Sequence, residues 1–98
     1  MGKRYGLRIN GLSENRCLEL RYFCMQYRAF LTERPESAAL IERAAVLADA
    51  ELYEFLIEHA STGVRYDVLR TVRGMPAGKD RFYASRRRFY RILNRMRG

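Results

Sequence analysis

Apolar residues along this chain recur at steps of three and four rather than in alternation, so the elements they predict are helices. Between Glu14 and Thr32, Cys17, Leu20, Cys24, Tyr27 and Leu31 keep that step, with Leu18 and Met25 widening the stripe. Ser13 stands where an N-cap is wanted. Pro35 then breaks the pattern, because the residue before a proline avoids the α region, and it can itself open the next helix. That second helix is expected to run to about Ala60, on a face of Ile41, Ala44, Ala45, Ala48, Leu52, Phe55 and Leu56 with Leu40 and Leu47 beside it. Two long amphipathic helices joined by so short a turn predict an antiparallel hairpin, and its alanines allow close approach.

The stretch Ser61-Thr62-Gly63 interrupts the periodicity. A shorter helix over about Val64 to Arg73 follows, with Val64, Val68, Leu69 and Val72 on one side and Gly74 placed as its C′ residue. After the turn Met75-Pro76-Ala77-Gly78 comes a last helix, about Lys79 to Arg97, whose core face is Phe82, Ser85, Phe89, Ile92, Leu93 and Met96. No β-run or internal repeat interrupts this series. The expected architecture is all-α and a single domain over 1–98: a basic arm over 1–12 with Lys3, Arg4 and Arg8, a helical hairpin over 13–61, and a C-terminal helix-turn-helix over 64–98.

Charge sharpens this division. The chain of 98 residues carries 19 Lys+Arg against 11 Asp+Glu, a net of +8. Residues 1–63 hold eight basic and nine acidic side chains, a net of −1, whereas residues 64–98 hold eleven basic and two acidic, a net of +9. The excess therefore belongs to the C-terminal end alone. A near-neutral scaffold carrying a basic end favours an anionic partner there.

On the last helix, residues opposite the core face include Asp80, Ala84, Arg87, Arg88, Arg91, Asn94 and Arg95, with Tyr83 and Tyr90 at the boundary. A run of arginines is often only a solvated face, but mixed signs would serve solubility as well, and here almost no acid compensates. The planar guanidinium suits phosphate oxygens and guanine edges. A short helix, a glycine-containing turn and a basic amphipathic helix is the layout of a helix-turn-helix, in which the first turns of the second helix meet base edges. The residues expected at bases are Lys79, Arg81, Tyr83, Ala84, Arg87 and Arg88; those expected at phosphates are Arg70, Arg73, Arg91 and Arg95. If Glu51, Glu54 or Glu58 neutralised the Arg87/Arg91 face, this expectation would weaken.

The segment from Met75 to Leu93, with its Ala77-Gly78-Lys79-Asp80-Arg81-Phe82-Tyr83 helix start, its Arg86-Arg87-Arg88 run and its closing Phe89-Tyr90-Arg91-Ile92-Leu93, resembles the C-terminal end of small regulators from phages and mobile elements of Gram-positive bacteria. These are of the ArpU/RinA type of late transcription activator, whose helix-turn-helix is similar to region 4 of sigma-70 factors. The resemblance covers about a third of the chain. It implies DNA binding by the residues just named and a regulatory role in a bacterial host cytoplasm, with RNA polymerase or a second copy of the chain as conceivable partners of the hairpin.

Other chemistry has little support. Cys17 and Cys24 are seven apart on the apolar stripe, and with His59 they make three soft ligands where structural zinc wants four. Free cysteines at such positions are commonly small core residues, and His59 is expected to be a cap-region or surface group. The order Gly74…Gly78-Lys79 has one residue too few between the glycines for a phosphate-binding loop and follows no strand. No catalytic constellation, metal or cofactor is expected, and no apolar run is long enough to span a bilayer. The leading expectation is a sequence-specific DNA-binding protein without catalysis. Two others stand behind it: an RNA-binding helical protein, since arginine and tyrosine serve RNA equally well, and an interaction module whose basic helix docks an acidic partner.

Overall fold

The structure, a computed structural model, describes Ile9 and residues 11–98. The basic arm expected over 1–12 lies outside the described residues, Lys3, Arg4 and Arg8 included, apart from Ile9, Gly11 and Leu12. The described residues form six helices: α1 (Glu14–Met25), α2 (Tyr27–Glu33), α3 (Pro35–Ala48), α4 (Tyr53–Thr62), α5 (Tyr66–Thr71) and α6 (Lys79–Arg97). The chain is all-α. Each of the two long helices expected before Gly63 is divided into two.

The first division falls at Gln26, whose N–H bonds back to the Phe23 carbonyl in a tightened turn. The tightening shifts the phase of the buried stripe. Cys17, Leu20 and Cys24 are buried as their spacing requires, but the next buried position is Phe30 and not Leu31, which is exposed. Leu18 and Met25, expected to widen the stripe, are exposed too. The second division falls at Asp49, whose backbone is extended and whose Oδ1 accepts the N–H groups of Glu51 and Leu52. This acidic side chain satisfies two backbone donors of the turn between α3 and α4.

Packing centres on α3. Its small residues Ala38, Ala44, Ala45 and Ala48 are buried, and α2, α4 and α6 all pack on it, α6 most extensively. Helices α2 and α3 pack on each other across the turn at Pro35, where the Tyr27 hydroxyl donates to Glu42. Helix α1 folds back on α4 and α6, with Arg16 of α1 donating to the Asn94 side chain of α6. The largest fully buried side chains are Phe82, Phe89, Leu20, Ile41, Leu52, Leu56, Leu69, Met75 and Leu93, drawn from α1, α3, the turn before α4, α4, α5, the turn before α6, and α6. All of them belong to one cluster.

Helix α4 ends at Gly63, which takes the left-handed conformation at φ 78° that a side chain would make costly. Helix α5 is shorter than expected, six residues. Of the four apolar residues expected on its inner side only Leu69 is buried; Val64 is half-buried, Val68 within the helix is exposed, and Val72 is exposed where the chain leaves it. The connection from Val72 to Gly78 is longer than the three or four residues of a tight helix-turn-helix. It is nevertheless ordered by specific bonds: Tyr66 Oη donates to the Ala77 carbonyl, Arg70 Nη1 to the Met75 carbonyl, and the Met75 N–H to the Leu69 carbonyl. No described helix is long and apolar enough to cross a membrane.

Candidate nucleic-acid interface

Helix α6 is built by the three- and four-residue spacing of its own apolar residues. Phe82, Ser85, Phe89, Tyr90 and Leu93 are buried, with Ile92 and Met96 half-buried beside them. Of the six expected core positions from Phe82 to Met96, all but Ser85 are apolar, and Ser85 is accommodated because its hydroxyl donates to Asp49 Oδ2 at 2.7 Å. Tyr90, expected at the boundary, is inside, where it hydrogen-bonds Cys24.

The structure divides the ten expected contact residues by what already holds them. Arg81 is committed: its Nη2 donates to Asp49 Oδ1 and to Glu51 Oε1, both at 2.9 Å, and its Nε to Asp49 Oδ2 at 3.2 Å. Burial disfavours the ionised Asp49 carboxylate, but the bonds from Arg81 and Ser85 outweigh it and hold its pKa below the ordinary value. Tyr83 is half-buried, with its ring against Phe82 and Tyr66 at centroid distances of 5.2 and 6.1 Å. Ala84 is half-buried. Arg88 donates its Nε to the Ala48 carbonyl at 2.9 Å, capping the end of α3, and keeps its terminal nitrogens. Arg73 pairs with Glu58 in a partly exposed bridge, and Arg70 bonds Met75.

Lys79, Arg87, Arg91 and Arg95 are different. All four are exposed, and no hydrogen bond or ion pair engages their side chains among the described residues. The three arginines follow one another at four-residue intervals, so they line one face of α6 about 6 Å apart along its axis. Glu51 and Glu58 do neutralise arginines, but these are Arg81 and Arg73, not the Arg87/Arg91 face. The geometry thus leaves Lys79 as the free cation of the first turn of α6 and places the other free positive charge in its middle and end.

Arg86 was not among the expected contact residues. It lies between Tyr83 and Tyr90 on the flank of α6, its guanidinium 5.7 Å from the Tyr83 ring centroid, and its buried Nε has no acceptor. Its place in the triple-arginine run hid it; its i+3 and i−4 relation to the two boundary tyrosines was the available signal. Cys17 and Cys24 are free and buried, and no cluster of three or more metal-ligating side chains occurs among the described residues. His59 is a half-buried group of the cap region at the end of α4, as one of its two expected readings had it, and its Nδ1 lies 2.7 Å from the Val64 carbonyl. Comparison with protein-family models, with curated proteins and with solved structures finds no match to this chain.

Proposed function

We propose that this protein binds double-stranded DNA through the exposed face of α6 and acts as a sequence-specific regulator, without catalysis. The observation that carries this reading is the row Arg87, Arg91 and Arg95: exposed, evenly spaced on one helix face, and without an acidic partner among the described residues. An uncompensated row of guanidinium groups suits a regular array of phosphates and releases its counterions on binding.

Arg91 and Arg95 are assigned to phosphates. Lys79, Arg87 and the terminal nitrogens of Arg88 are assigned to base edges, because Arg81 and Tyr83 are held by the scaffold. Arg73 is assigned to flanking phosphate: its bridge to Glu58 is partly exposed, and such pairs contribute little and exchange readily. The regulatory part of the proposal rests on the resemblance of the Met75–Leu93 segment to phage activators. Contacts with polymerase or a second copy are assigned to the apolar ridge of α1, where Leu18, Tyr22 and Met25 are exposed.

Fluorescence anisotropy of labelled duplexes tests the reading. Affinity is expected to fall steeply as salt rises, and the combined Arg87→Gln, Arg91→Gln and Arg95→Gln variant to lower the salt slope by about three. Arg87→Ala is expected to reduce discrimination between sequences, and Arg95→Ala to weaken all sequences alike. Absence of binding to any duplex at low salt, or undiminished binding by the triple variant, overturns the proposal. A clear preference for structured RNA over duplex DNA replaces the DNA reading with an RNA one.

A further inference from the structure

A cleft of about 580 Å³ lies beside α6, bounded by α1, the junction of α4 and α5, and the tyrosine-bearing flank of α6. That volume falls within the range of small-ligand sites. Its wall carries Arg21 from α1, Arg65 from the junction, and Lys79 and Arg86 from α6, against a single carboxylate, Asp67. Asp67 is already bonded to Arg65 at 2.9 Å. Arg21, Lys79 and Arg86 therefore share a concave surface with no acid to balance them among the described residues.

Arg86 makes this arrangement unusual. A guanidinium is effectively always charged, and a charge withdrawn from water is ordinarily paired. Arg86 is half-buried, stacked on Tyr83, without an acceptor for Nε, and close enough to Arg21 and Arg87 to be repelled by both. A scaffold that needed only packing at this position would be served better by an uncharged side chain. The walls between the cations are aromatic, with Tyr83 and the rings of Tyr66 and Tyr90. Two neighbouring guanidinium groups, Arg21 and Arg86, beside the flat rings of the tyrosines match a phosphate joined to a planar group.

We propose that this cleft binds a phosphate monoester of nucleotide size, its phosphate held by Arg21 and Arg86 and its planar base placed against the rings of Tyr66 and Tyr83. The site is distinct from the Arg87–Arg95 row and stands whether or not that row binds duplex DNA. The phosphate has two sources, a free nucleotide or the 5′-phosphorylated end of a nucleic-acid strand, and the chemistry of recognition is the same for both.

Isothermal titration of the full chain with adenosine 5′-monophosphate, adenosine, and short oligonucleotides with and without a 5′-phosphate tests the site. The expected result is a dissociation constant below about 1 mM for the monophosphate or the phosphorylated oligonucleotide, and none measurable for adenosine. Tighter binding of the monophosphate, with no gain from the 5′-phosphate on the oligonucleotide, identifies a free nucleotide as the ligand; tighter binding of the phosphorylated oligonucleotide than of its unphosphorylated counterpart identifies a strand end. Arg21→Gln and Arg86→Met are each expected to weaken binding about tenfold or more, while Arg43→Gln, the same loss of charge on exposed α3 surface, leaves it unchanged. Arg86→Met is also expected to keep or raise the melting temperature, which a merely structural arginine would not. Failure of every phosphate monoester to bind, or equal weakening by Arg43→Gln and Arg21→Gln, overturns the proposal. Binding lost in Arg86→Met together with a lowered melting temperature, but retained in Arg21→Gln, also overturns it.

Discussion

His59, the one histidine of the chain, closes the end of α4 onto the start of the next segment. The Val64 carbonyl can only accept, so Nδ1 carries the proton and donates. The ring stands edge-on to Phe82 of α6 at 5.2 Å. Burial lowers its pKa below 6.5; the Val64 bond opposes this, and Arg86 of α6 and Arg21 of α1 add to it. The unfolded chain thus binds more protons just below that value, and stability rises with pH through the window. We expect the thermal midpoint to fall on acidification from about pH 7 to pH 5, and His59→Gln to flatten that slope. Melting curves across this range check it; an identical slope in the variant refutes the assignment.

Cys24 shows the same force acting on a different group. Burial pushes its thiol up to about 12, only partly opposed by the bond from Tyr90 and the charge of Arg97. A protonated, enclosed thiol is a poor nucleophile. In a Cys17→Ser protein, a thiol-specific reagent at neutral pH is expected to modify Cys24 only as fast as the chain unfolds. Rapid modification of the native protein would contradict this environment.

At the scale of elements, Asp49 connects more than any other polar side chain. Its carboxylate caps the turn between α3 and α4 at the Glu51 and Leu52 N–H groups, receives the Arg81 guanidinium and the Ser85 hydroxyl from α6, and so fixes that turn against α6. Asp49→Ala is expected to destabilise the protein by about 2 kcal/mol, through the lost cap and an unsatisfied buried Ser85. Asp49→Asn keeps the acceptor at Oδ1 and replaces the Oδ2 acceptor by an NH2 group that loses Arg81 Nε but can still donate to the Ser85 hydroxyl, so its cost is expected to be smaller. Chemical denaturation of both variants checks the order. Because the Asp49 pKa is held below its ordinary value, its contribution is present above that value and lost as pH falls through the lowered one. The same hub explains why Arg81, which stands where a recognition helix would read bases, is turned toward the scaffold.

In the whole molecule, α3 is the element on which the others assemble, and its alanines set how closely they approach. Ala45 is fully buried, so Ala45→Leu is expected to force neighbouring helices apart at a cost of about 1–3 kcal/mol, seen as a lowered denaturation midpoint. An unchanged midpoint would mean that the α3 packing has room the structure does not show.

The residue order by itself determines that the chain is helical, that α6 buries Phe82, Phe89 and Leu93, and that positive charge gathers after Gly63. Those properties follow from periodicity and composition, which are local or additive. The breaks at Gln26 and Asp49 were less legible, because a tightened turn and a capping carboxylate inside an otherwise continuous apolar stripe do not interrupt its count. Only the tertiary structure decides which arginines are free. Arg73, Arg81 and Arg88 meet Glu58, Asp49, Glu51 and the end of α3 across large sequence separations, whereas Arg87, Arg91 and Arg95 meet no acid among the described residues. Periodicity places a side chain on a face of its own helix; what stands opposite that face depends on how the other helices pack.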